Sequence, residues 1–345
     1  METPLSTTLV PDAAVPLPSL RPMSIGEILD RALQLFRSSF LRLFGIALVF
    51  QAPSYALTKL FQRVMQQRAP ALTRPGAFRG EMPSLEQILW FIGCLLAMVL
   101  AALVLYQLAL AALTVAAARG FLGERIDPGR ALAEALSRSP QILGTFALVF
   151  LWTSLLLGLA SLPGGALIAL SAFTESAAAR VALVLGGLGL LLLTWLAAGI
   201  WLLLKYALVS EVVIIERISF IAAMRRSARL MAGSVGTSFF DNCKVRASIV
   251  HAVNLALSTS VAVVASLPAL IVSSTFGASP LNPEDYDPAR VPLWALVPAE
   301  LFQVIGQTAV VPYGLLAVIV FYFDLRIRKE GFDLELLAGR LGGAL

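Results

Sequence analysis

The chain has 345 residues, of which 58% are apolar and 14% charged, against roughly 45–50% and 25% in ordinary soluble domains. Several apolar runs exceed the ~20 residues that cross a bilayer as helix, which excludes a soluble globular protein, and the ~10-residue alternating segments of a membrane barrel are missing too. The net charge of +5, from 26 Lys and Arg against 21 Asp and Glu, therefore reads as topological; no basic, aromatic-interleaved segment points to a nucleic acid.

In chain order, residues 1–22 hold five prolines and no apolar stretch after a basic start, so they read as a mobile tail and not as a signal peptide. From Ser24 the pattern turns helical. Ile25, Ile28, Leu29, Ala32, Leu35 and Phe36 share one face, while Glu27, Asp30, Arg31, Gln34 and Arg37 take the other, which predicts an amphipathic helix over 24–38. Ser24 and Glu27 have the spacing of a capping box at its start. Six apolar runs follow, at about 40–61, 85–118, 140–173, 180–209, 247–275 and 294–323. Pro163, Gly164 and Gly165 interrupt the third, which predicts a spanning helix to about 162 and a non-spanning extension to Phe173. The expected fold is all-α: a polytopic bundle of six transmembrane helices, a membrane domain over 23–330 followed by a cytoplasmic tail over 331–345.

With six crossings, the N-terminal segment, the 119–139 and 216–246 loops and the C-terminal tail share one face and carry eighteen Lys and Arg, whereas the three opposite loops carry seven. That asymmetry predicts cytoplasmic termini in a bacterial inner membrane. A repeat is also visible. RALQLFRSSFLRLFGIALVF at 31–50 matches RALAEALSRSPQILGTFALVF at 130–150, and a weaker copy starts near Phe220. A cytoplasmic amphipathic helix followed by a membrane hairpin, repeated three times, accounts for the count of six.

Little in the chain points to catalysis. His251 is the only histidine, too few for a histidine zinc site, and no phosphate-binding GxxxxGK[ST] loop occurs. Cys94 and Cys243 sit at different depths and predict neither a disulfide nor a metal site. No catalytic residue, cofactor or metal is expected. Glu284, Asp285 and Asp287 form an acidic cluster in an outer loop, read as a solvated loop or a weak cation site. Lys205 and Glu211 flank the end of the fourth run, where snorkelling explains the lysine and a cation from the same face could meet the glutamate. Arg225, Arg226 and Arg229, at i, i+1 and i+4, predict one cationic face opposite Ile221, Met224, Ala228 and Met231. These arginines are the candidate lipid-headgroup contacts, or else they only enforce topology.

Three stretches carry a resemblance. RPMSIGEILDRA at 21–32 resembles the R-P-x-S-x-G-E-I-L-D opening of bacterial membrane proteins related to the glycerophosphoryl diester phosphodiesterase membrane domain. The segment from Glu216 to Leu230, with AAMRRSARL at 222–230, and YFDLRIRKEGFDL at 322–334 are similar to that family's middle and terminal segments. The resemblance implies a six-helix membrane module, sometimes fused to a soluble phosphodiesterase barrel that this chain does not contain, so diesterase activity is not implied. The family's usual proline shortly before Glu216 is absent here, and a straighter fourth span is expected. The function expected is a non-enzymatic membrane module that organises membrane lipids, anionic ones included, or a membrane or cytoplasmic protein partner; a transporter or permease subunit is the alternative.

Overall fold

The computed structural model describes residues 21–68, 84–277, 291–332 and 334. Residues 1–20 of the tail, the acidic cluster at Glu284, Asp285 and Asp287, and the C-terminal segment from 335 lie outside the described residues. Those described form helices and no strand. Six helices are long and apolar enough to span a membrane, so the chain is an all-α, multi-pass membrane protein. Within the membrane domain the chain divides into two compact units.

The first unit holds α1 (Ile25–Arg68), α2 (Leu85–Phe121) and α3 (Pro128–Ser137), with α8 (Cys243–Thr275) from Val250 and α9 (Leu293–Glu330) as far as Val320. α1 starts with the predicted capping box: the Ser24 N–H donates to Glu27 Oε2 at 2.7 Å and the Glu27 N–H to Ser24 Oγ at 3.3 Å. The amphipathic segment and the first span, expected as separate pieces, are one helix of 44 residues. No breaker lies between them, and the Ser38 hydroxyl donates back to the Leu35 carbonyl within the helix, so it caps no new start. α2 buries its C-terminal half, where Ala111, Ala112, Ala116, Ala117 and Ala118 allow α1 and α3 to approach closely; its N-terminal half exposes Leu89, Ile92, Leu96 and Leu100, as a lipid-facing surface does. α8 and α9 are joined by Asn254, whose Nδ2 donates to the Gly314 carbonyl at 3.0 Å.

The second unit contains α4 (Ser139–Ser171), α5 (Ala177–Lys205), α6 (Val209–Ile215) and α7 (Phe220–Leu230), with the first turns of α8 and the last turns of α9. One expectation is corrected here. The break at Pro163 does not occur, for α4 is continuous from Ser139 to Ser171 with Pro163 inside it. In a bilayer a helix that opens finds no water for its freed carbonyls, so the cost of one proline is smaller than that of ending the helix. The glycines serve packing instead: a Cβ at Gly187 would lie 2.6 Å from Ile168 Cγ1 and 2.8 Å from the Gly164 carbonyl oxygen. Gly187→Ala should therefore force the α4–α5 hairpin apart and cost about 1–3 kcal/mol in detergent unfolding. Gly186→Ala, where an added Cβ meets nothing within 4 Å, should be silent. Equal effects of the two would rule out the close contact.

The fourth span is not one regular helix. A turn at residues 206–208 separates α5 from α6 without any proline. Ser227 of α7 explains the turn: its hydroxyl accepts from the Leu208 N–H at 3.3 Å and donates to the Lys205 carbonyl at 3.2 Å. Backbone groups released at residues 205–208 thus find a side-chain partner, one of the few recognised causes of a helix kink.

Candidate functional site

α7 and the segments that fix it form the most polar assembly of the second unit. The chain enters α7 through a tight turn in which Arg217 and Phe220 both take left-handed backbone angles, φ 59° and 57°. Such angles cost a non-glycine residue and persist only where the surroundings impose them. Here the Phe220 N–H donates to Thr145 Oγ1 at 2.9 Å, and the missing side chain of Gly144 makes room for the Phe220 ring, since a Cβ there would lie 2.9 Å from it. Arg138 adds a bond to the Ile214 carbonyl at 3.3 Å.

The buried side of α7 is Ala223, Met224, Ser227 and Leu230. The apolar face predicted through Ile221 and Ala228 is therefore rotated: Ile221 is 54% exposed, and its place is taken by a serine that sequence alone assigns to the polar side. The three arginines separate as a result. Arg225 and Arg229, one helical turn apart, lie exposed on the outward face and meet no carboxylate among the described residues. Arg226 turns sideways and inward.

Arg226 binds two carboxylates. Its Nε and Nη2 donate to Glu216 at 2.7 and 3.1 Å, and its Nη1 and Nη2 donate to Glu330, the latter at 2.7 Å. The hydrogen bonds to Glu330 push the guanidinium above its already high ordinary pKa; burial pulls the other way and Glu216 adds to the rise. The same carboxylates take further partners, for the Tyr322 hydroxyl donates to Glu216 at 2.7 Å and Arg326 Nε to Glu330 at 3.2 Å. Lys329 closes the end of α7 by donating to the carbonyls of Leu230 and Ala232 at 2.8 and 2.6 Å. Beside this clasp, fully buried Asp324 accepts from Arg246 Nη2 at 3.0 Å and from Arg328 Nε at 3.1 Å. Two of the segments that carry the resemblance, Glu216–Leu230 and Tyr322–Leu334, thus meet in one ion-pair network.

Compared with family models, curated proteins and solved structures, the chain gives no match.

Sequence reasoning missed most of this network. Glu216, Asp324 and Glu330 were legible only as motif letters, although Asp324–Arg328 and Arg326–Glu330 have the i,i+4 spacing of helix ion pairs. Glu211 is also not where reasoning put it. It is 2% exposed, and its Oε2 finds no partner among the described residues, so the expected cation does not reach it. Lys205 lies over aromatic rings at the end of α5. His251 is half-buried in α8.

In the first unit a further ion pair escaped the sequence reading. Glu300, inside the sixth apolar run, accepts from Lys59 Nζ at 2.5 Å and from the Tyr55 hydroxyl at 2.8 Å, tying α9 to α1. Nearby elements enclose a cavity of about 100 Å³ that Gln51, Ser54 and Thr308 line together with Phe50, Leu110 and Val311.

Proposed function

We propose that the protein is a non-enzymatic module of the bacterial inner membrane that organises anionic lipid headgroups at the cytoplasmic face, of the six-helix type its sequence resembles. One observation carries this reading: α7 is clamped on one side and offers Arg225 and Arg229 on the other, without acidic partners among the described residues and beside exposed Phe220 and Ile221. Cations flanked by apolar side chains suit the boundary between headgroups and acyl chains, where each cation contributes about 1 kcal/mol. Arg226 is occupied by its carboxylates, so the headgroup role falls to the other two. The charge asymmetry of the loops supports a cytoplasmic position for α7.

The transporter alternative draws on the cavity of the first unit. At about 100 Å³ it is far below the roughly 300–1,000 Å³ of small-molecule sites, so this cavity lends the transporter reading no support.

The test pairs sidedness with lipid retention. In a chain with Cys94 and Cys243 replaced, a cysteine at 225 should stay unlabelled by an impermeant reagent in intact cells and react once the membrane is opened. R225Q/R229Q should fold normally and retain fewer anionic lipids through purification, with a weaker dependence on salt. Unchanged retention in the folded double variant would move the two arginines to a protein partner or to topology alone.

A further inference from the structure

At the same end of the second unit, where α5 stops and α8 begins, two lysines converge on one indole. Lys205 Nζ stands 4.6 Å from the centroid of the Trp201 ring and Lys244 Nζ 5.1 Å from the same ring. Lys205 also lies 5.4 Å from the Tyr206 ring, and the Tyr206 hydroxyl accepts from Trp152 Nε1 at 3.2 Å, which leaves its own O–H proton to donate elsewhere. Neither lysine pairs with a carboxylate among the described residues.

Lys205 by itself is unremarkable, for a cation in the last turn of a helix meets the negative end of its dipole, and the ring attracts an ammonium. Lys244 has the ring but not the dipole. It sits in the first turn of α8, the positive end, where a cation is disfavoured, and it turns toward a ring that already holds a lysine. Two like charges brought together from different helices cost energy unless an anion lies between them.

We propose that Lys205, Lys244 and Tyr206 bind the phosphate of an anionic phospholipid, with Trp201 as the aromatic floor of the site. Depth selects the source of the phosphate: Trp201, about one turn before α5 ends at Lys205, is 46% exposed, at the level where aromatic side chains mark the bilayer boundary and phospholipid phosphates lie. Polybasic pockets between helices at this level hold lipid headgroups in the same manner. This site is separate in residues from Arg225 and Arg229, and it shares with the proposed function only the preference for anionic lipid.

The experiment titrates phosphatidylglycerol into the delipidated full chain and reads bound lipid by native mass spectrometry, with phosphatidylcholine as control. K244Q should weaken the tightest phosphatidylglycerol site about fivefold and K205Q/K244Q about 25-fold, while K205R/K244R retains it. R225Q/R229Q should leave this site within twofold of wild type. Millimolar inorganic phosphate should not displace the lipid; full displacement would mean a site for free phosphate and would overturn the lipid assignment. A K244Q affinity within twofold of wild type would overturn the site itself, whether or not the double variant folds. Fewer anionic lipids retained through purification in R225Q/R229Q, with an unweakened tight site in K244Q, would spare the proposed function and end this inference; a weakened tight site in K244Q, with unchanged overall retention in R225Q/R229Q, would support the site and end the proposed function.

Discussion

Asp324→Ala should destabilise the protein by about 3–5 kcal/mol, the range found when one partner of a buried ion pair is removed. Asp324 has no exposure to solvent and Arg246 only 5%, so the alanine variant leaves a guanidinium in the interior facing the space of its lost counter-charge. Arg328→Ala should cost much less, about 1 kcal/mol, because Arg328 is partly exposed and its loss leaves the Asp324–Arg246 pair in place. Replacing the inner pair together, in D324L/R246M, should recover a large part of the deficit, since a packed apolar pair avoids the desolvation of two charges. Unfolding midpoints in a denaturing detergent series would check the order. A D324A variant as stable as R328A would mean that the pair is solvated and that the second unit closes in another way.

The three arginines of α7 should differ in the same assay by more than their shared charge suggests. Arg226→Ala removes four hydrogen bonds to Glu216 and Glu330 and leaves the largely buried Glu216 carboxylate without its cation, while exposed Glu330 keeps Arg326, for an expected cost of about 2–3 kcal/mol. Arg226→Lys keeps the charge but not the fork that meets two carboxylates at once, and should fall between alanine and wild type. Arg225→Gln and Arg229→Gln should each stay within about 0.5 kcal/mol, as exposed substitutions do. Three equal effects would contradict the orientation of α7.

The contrast among these arginines shows how far the sequence can be read. Arg225, Arg226 and Arg229 are adjacent letters of one motif, and helical periodicity groups them. What separates them is Glu330, 104 residues away, and Ser227, whose hydroxyl is needed by the backbone of the turn before α6. A serine is polar by composition and buried by use, so the predicted apolar face came out rotated. Arg246 and Asp324 show the same limit, for nothing local to either announces a partner 78 residues distant.

Elements that depend on short-range chemistry were legible. The Ser24–Glu27 box needs only residues three apart, and the six crossings follow from apolar runs longer than the bilayer is thick. Pro163 marks the boundary between the two kinds of knowledge. Its own chemistry argues for a broken helix, and in water that preference would weigh heavily. Within the membrane the backbone has no other hydrogen-bond partner, and Gly164 lies against Gly187 of the neighbouring helix, so α4 continues. By itself the sequence determined which segments enter the membrane, because transfer of apolar surface is a sum over local residues. Only the tertiary structure decided which polar side chains are spent on holding α7 and which remain free to meet a ligand, because each such choice depends on a partner from a distant part of the chain.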